Sequence, residues 1–108
     1  MTRQTSIPLE KPVVSSLSLW VSLPGCKSLK EKRGRLARLQ NQLRKEFNLS
    51  VSEIGFMDSW QTALIACAVI SNDLRYNQQL LTTVISYLET HFPDEPVTDY
   101  HFELQQFS

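Results

Sequence analysis

Two stretches of this sequence carry the same apolar stripe, offset by 45 residues. Leu29, Leu36, Leu39, Leu43 and Phe47 recur as Leu74, Leu81, Val84, Leu88 and Phe92. Steps of three, four and seven residues put each set on one side of an α-helix, and that side must be buried against something. The surrounding sequence reads as strand. Residues 13–23 alternate, with Leu17, Leu19, Val21 and Leu23 on one face and Ser16, Ser18, Trp20 and Ser22 on the other. Pro24-Gly25 then forces a turn. Residues 49–57 and 61–70 read as two further strands around a tight turn at Asp58-Ser59. The stretch 61–70 is apolar on both faces, and Ile65, Val69 and Ile70 favour strand over helix, so it belongs in the middle of a sheet. A last strand spans residues 97–106, with Tyr100, Phe102 and Leu104 on one face and His101, Glu103 and Gln105 on the other.

The helix ends are marked as well. Ser28 is a good N-cap, and Glu31 three residues later completes a capping box. Asn48 is the expected C-terminal cap of the first helix. Ser71 or Asn72 is expected to cap the second, with Asp73 in its first turn, and Pro93 and Pro96 end it. On this reading the caps do not share the offset of the stripes. Two strand–helix–strand halves with equivalent helices predict an α+β, ferredoxin-like βαββαβ sandwich, a four-stranded antiparallel sheet with both helices on one face. Similar packing demands produce such a repeat as readily as a duplication does. The other sheet face stays open, and it holds Trp20 and one apolar face of the third strand, so it is expected to meet a second copy or another protein.

A chain of 108 residues is enough for one domain, expected over residues 13–108. Residues 1–12, with Pro8 and Pro12 and few apolar side chains, read as a disordered extension. No apolar run approaches membrane-spanning length, and the start has no secretory pattern. Cys26 and Cys67 stand apart, without metal or redox spacing, and read as reduced thiols of a cytoplasmic protein.

The net charge is zero, but its layout is uneven. Between Lys27 and Glu46 eight Lys and Arg face only Glu31 and Glu46, whereas Ile85 to Ser108 holds five acids and no Lys or Arg. On a helical wheel Lys30, Arg35, Arg38 and Lys45 point away from the leucine stripe, flanked by Arg33 and Arg44. Lys27, Lys30, Arg33, Arg35 and Arg38 are therefore the candidate phosphate contacts, set near a helix N-terminus. The plainer alternative is a solvated helix face. Lys32 falls inside the apolar stripe; a stem that packs on the sheet rim is the favoured reading, and an ion pair with Glu53 or Asp58 the sharper one.

Other chemistry is weakly marked. Trp20 and one face of the last strand could stack bases, but the third strand lacks the basic-Gly-aromatic pattern of RNA-recognition sheets. His91 and His101 have no metal-ligand spacing, and neither a metal nor another cofactor is expected. Cys26 beside Lys27 has no identifiable histidine partner, and Pro24 to Ser28 is not a phosphate-cradling loop. Acylphosphatases share the expected fold, but their arginine-bearing loop is not found.

The segments Leu23-Pro24-Gly25-Cys26-Lys27-Ser28-Leu29-Lys30-Glu31-Lys32-Arg33, residues 47–53, Asp58-Ser59-Trp60-Gln61-Thr62-Ala63 and Ser71-Asn72-Asp73 resemble the YlxP-like family of small bacterial proteins of unknown function. The resemblance spans residues 14 to 106. It implies a ferredoxin-like fold and, because such genes lie among ribosome-assembly genes beside ribosome-binding factor A, a role near the ribosome. Within these motifs Trp60 reads as a packing anchor and Asp58 as an Asx-turn former. The leading expectation is a non-enzymatic, cytoplasmic RNA-binding protein, with ribosomal RNA or the small ribosomal subunit as partner. The alternative is a protein-interaction module or homodimer through the open sheet face around Trp20. No membrane is involved in either reading.

Overall fold

The computed structural model describes residues 11–106, so the extension expected over residues 1–12 lies outside the described residues apart from Lys11 and Pro12. Six elements follow in the order β1 (Val13–Ser22), α1 (Leu29–Glu46), β2 (Ser50–Gly55), β3 (Thr62–Ser71), α2 (Leu74–His91) and β4 (Val97–Gln106). The strands form one antiparallel sheet in the order β2-β3-β1-β4. This is the ferredoxin-like βαββαβ sandwich, with the doubly apolar β3 inside the sheet.

Alternation decides which side is buried. Along β1, Val13, Leu17, Leu19 and Val21 are buried, and along β3, Ala63, Ile65, Cys67 and Val69. Leu36, Leu39 and Leu43 of α1 and Leu81, Val84 and Leu88 of α2 close over them in one core. Each such leucine contributes about 1.5–3 kcal/mol through burial.

The helix ends correct the sequence reading. Ser28 caps α1 as expected, accepting from Glu31 N–H at 3.0 Å, but the Glu31 carboxylate turns back to Lys27 N–H at 3.4 Å. The N-cap of α2 is Asp73 rather than Ser71 or Asn72; its carboxylate accepts from Arg75 N–H at 2.9 Å and Tyr76 N–H at 3.4 Å. A carboxylate one residue closer to the helix can reach two free N–H groups, which Ser71 cannot. Asn48 is not the cap of α1 either, because Phe47 takes that place in an extended conformation. The caps Ser28 and Asp73, and likewise Phe47 and Phe92, therefore do carry the offset of 45.

The last strand lies where the alternation puts it, with the expected division of faces. Its register pairs Leu19 with Tyr100 and Leu17 with Phe102, so the aromatic rings lie on the helix side of the sheet, away from Trp20. As an edge strand β4 extends past the helical cover, and Tyr100, Phe102 and Leu104 stay 51%, 38% and 51% exposed. On the open face β4 offers Asp99, His101, Glu103 and Gln105 beside Trp20, Ser16 and Ser18 of β1. A joint base-stacking surface of Trp20 and the β4 aromatics is thus not formed.

Candidate nucleic-acid interface

Four segments meet at the end of the sheet where β1 finishes. Ser22 N–H donates to Pro96 O and Leu23 N–H to Gln61 O, each at 2.9 Å. Gln61 Nε2 donates to Cys26 O at 3.4 Å. Gly25, at φ +74°, makes the turn that sends the chain back into α1, a conformation in which a side chain is strained. The start of α1, with Lys27, Lys30 and Arg33, therefore stands beside the β2–β3 hairpin.

The cations here fall into two groups. Lys32 is 2% exposed. Its Nζ donates to Phe56 O and Ser59 O, each at 2.7 Å, and lies 3.0 Å from Glu53 Oε2. The favoured reading of a stem that snorkels to the rim is corrected to the ion pair with Glu53. A buried ammonium needs a countercharge and acceptors, and the hairpin supplies both. Arg35 is held in the same manner. Its Nε and Nη2 donate to Glu95 Oε2 at 2.9 and 2.7 Å, and its remaining donors reach Pro24 O at 3.0 Å and Asp94 O at 2.9 Å. Burial alone would lower the pKa of this guanidinium, but the bond to Glu95 and the charges of Glu95 and Glu31 more than offset it and raise the value. Arg35 was expected as a phosphate contact; the structure places it in the scaffold, with every donor group turned towards this chain's own oxygens. A surface cavity of about 590 Å³ opens beside it, between Pro24, Arg38, Pro93 and Pro96. Its charged floor is the Arg35–Glu95 pair, so it offers little free positive charge to a phosphate.

The second group faces solvent. Lys27, Lys30, Arg33 and Lys45 are exposed. Arg38 is 68% exposed, lies 3.6 Å from Glu95 Oε1 and covers the Phe92 ring at 5.5 Å. Arg44 is anchored through Nη2 to Val51 O at 3.0 Å while the residue remains exposed. Of the five predicted contacts, Lys27, Lys30, Arg33 and Arg38 are exposed, and Arg35 is held in the scaffold.

The hairpin tip carries a feature that sequence reasoning missed. Ile54, Phe56, Met57 and Trp60 are each 50–53% exposed. Trp60 is therefore not a buried packing anchor. The turn closes through Ser59 N–H to Phe56 O at 3.0 Å, and among the described residues Asp58 forms no side-chain hydrogen bond that would make an Asx turn. Phe56 sits at φ +58°, which is uncommon for a bulky residue. A run of four large apolar residues about a turn was the available signal, and a turn with that composition is unusual.

Among the described residues the cysteines and histidines do not assemble into a reactive group. Burial pushes the Cys67 thiol up to about 12. Cys26 Sγ donates to Ser28 O, His91 stacks on Tyr87, and His101 lies by Glu103, so these groups stand in separate places. Among the described residues no three His, Cys, Asp or Glu side chains form a metal-holding group, and no helix is long and apolar enough to cross a membrane. Trp20 is half-buried on the open face, across from Leu64 and Asp99.

A family described as "Protein of unknown function (DUF503)" matches residues 14–102 of this chain. "Uncharacterized protein YlxP" of Bacillus subtilis (strain 168) is 36% identical over 67 residues, which is 62% of this chain and 72% of that protein. Among solved structures, the de novo designed protein Foldit4 is similar with a TM-score of 0.47 and 11% identity, over 90% of this chain and 97% of that one. LarC2, the C-terminal domain of a cyclometallase involved in the synthesis of the NPN cofactor of lactate racemase, is similar with a TM-score of 0.45 and 14% identity, over 89% of this chain and 56% of its own. Neither structural likeness bears on function.

Proposed function

This chain belongs to the DUF503 family of proteins of unknown function, and we propose that it is a non-enzymatic RNA-binding protein that uses the outer face of α1. One observation carries the reading. With Lys32 and Arg35 neutralised inside the fold, Lys27, Lys30, Arg33, Arg38, Arg44 and Lys45 remain outward, opposed on that segment only by Glu31 and Glu46. A surface of this kind attracts a phosphate backbone and displaces its counterions. It positions RNA rather than reading its sequence. The partner class is ribosomal RNA or the small ribosomal subunit, which is what the YlxP-like resemblance implies. The non-enzymatic part rests on the separation of the two cysteines and two histidines, which among the described residues leaves no thiol beside an imidazole.

The test is binding to protein-free ribosomal RNA and to small subunits across a salt series. Affinity is expected to fall steeply with salt. Lys30→Glu with Arg33→Glu is expected to weaken binding and to flatten the log–log slope by about 0.7–0.9 for each phosphate no longer neutralised, with the melting temperature unchanged. Absence of binding to both targets at low salt overturns the proposal.

A further inference from the structure

We infer that the tip of the β2–β3 hairpin is a stacking platform for unpaired RNA bases, with Phe56 and Trp60 under the bases and Lys27 on a neighbouring phosphate. This rests on the RNA-binding reading and adds the substrate class, single-stranded rather than duplex RNA. Three observations lead to it.

The first is exposure. Phe56 and Trp60 flank one tight turn and are 50% and 51% exposed, whereas Leu39, Leu43, Leu81 and Leu88 of the helical stripes are enclosed. The second is how the tip is held. Phe56 keeps a left-handed backbone at φ +58°, and its carbonyl and that of Ser59 both accept from the buried Lys32 ammonium. A left-handed conformation at a bulky residue persists only where its surroundings hold it, and such sites gather where geometry serves function. Here Lys32, backed by Glu53, fixes the turn and leaves the phenyl ring outside. A flexible apolar tip would lose entropy on binding, and a clamped one loses less.

The third observation is charge. Lys32, in the first turn of α1, reaches the hairpin from the buried side of the helix, and Gln61, next to Trp60, bonds to Cys26, next to Lys27. The aromatic rings and Lys27 thus share one end of the molecule. Single-stranded nucleic acids are bound by that combination, because every base has a flat face and every linkage a charge. Duplex RNA keeps its bases stacked and cannot use the rings.

The test compares a short single-stranded RNA of mixed sequence with the same strand annealed to its complement. The parent protein is expected to bind the single strand more tightly. Trp60→Ala and Phe56→Gly are each expected to weaken single-strand binding by about 5- to 150-fold, the range found when a stacking aromatic is removed. Both should leave the salt slope and duplex binding unchanged, because neither carries charge. In a Trp20→Phe background, emission from Trp60 is expected to change on adding the single strand and not the duplex. Both tip side chains face solvent, and melting curves of the variants check that they fold. Equal single-strand affinity of parent, Trp60→Ala and Phe56→Gly overturns the inference, leaves the tip to a protein partner, and leaves the α1 reading standing if binding stays salt-steep. Absence of parent binding to either RNA overturns both.

Discussion

The two halves of the molecule share a frame and differ in the polar group each helix buries. α1 and α2 begin at Leu29 and Leu74, are capped by Ser28 and Asp73, and end at Phe47 and Phe92. Even the approaches match: Cys26 Sγ lies 3.4 Å from Ser28 O, and Ser71 Oγ lies 3.0 Å from Asp73 O. Gln42 and Tyr87, again 45 apart, meet at 2.8 Å where the helices touch. One turn into each helix an apolar stripe would place a hydrophobic side chain, and both halves place a polar one there, Lys32 and Asn77, 2% and 0% exposed. Asn77 is neutral. Its Nδ2 donates to Val13 O at 3.0 Å and Ser15 Oγ at 3.1 Å, and Ser71 Oγ lies against its Oδ1, which ties α2 to the start of β1 and the end of β3. Lys32 ties α1 to the hairpin, but as an ion it requires Glu53 beneath it. The same position therefore fastens a helix in both halves, and only in the first does the fastening bring in a second charge.

Lys32→Met should break the comparison most severely. It leaves Ser59 O without its Lys32 donor, Phe56 O with only the Ser59 N–H, and Glu53 without its countercharge. Removing one partner of a buried pair costs about 3–5 kcal/mol, and Glu53 is 21% exposed, so water takes up part of the loss and the lower end is expected. Urea unfolding measures it. Lys32→Met with Glu53→Met should recover much of the stability, because no charge is then stranded. A double variant as unstable as the sum of the single ones would show that the carbonyl contacts, not the ion pair, dominate.

Asn77→Ala comes next. Val13 O and Ser15 Oγ lose a donor in a fully buried place, and a stranded neutral group costs about 1–3 kcal/mol. The ordering is the sharper prediction: the loss at Asn77 should be smaller than at Lys32, as a dipole is cheaper to strand than a charge. A larger loss at Asn77 would mean that depth, not charge, sets the cost.

What the sequence displays and what it conceals divide along the same physical line. Periodicity is local, so the stripes, the alternation of β1 and the double apolarity of β3 were legible and led to the fold. Lys32 was visible as a misfit inside its stripe, but local spacing cannot distinguish a stem that reaches solvent from an ammonium that meets Glu53 across a sheet. Arg35 gave no sign at all. Its partner Glu95 is 60 residues away, in the loop after α2, and on the wheel Arg35 looked like any outward cation. The cap of α2 was misplaced because Ser71, Asn72 and Asp73 are all capping residues, and only the position of the first helical turn chooses among them. Exposure at the hairpin tip was hidden for a different reason: burial depends on where the sheet stops, which residue types do not record.

Cys26→Ser should have the smallest effect, and it tests the likeness of the halves rather than their difference. It gives the approach to α1 the residue that Ser71 supplies to α2. The side chain is buried, so replacing sulfur by oxygen loses some apolar contact. The hydroxyl can donate to Ser28 O, as the thiol does more weakly, and a satisfied bond of that kind returns about 0.5–1.5 kcal/mol. The two terms oppose each other, and a net change within about 1 kcal/mol is expected in thermal unfolding. RNA affinity should not move, because the thiol touches neither the outer face of α1 nor the tip. A loss of binding without a loss of stability would give Cys26 a part in function that its matching serine does not have, and the equivalence of the two approaches would then be geometric only.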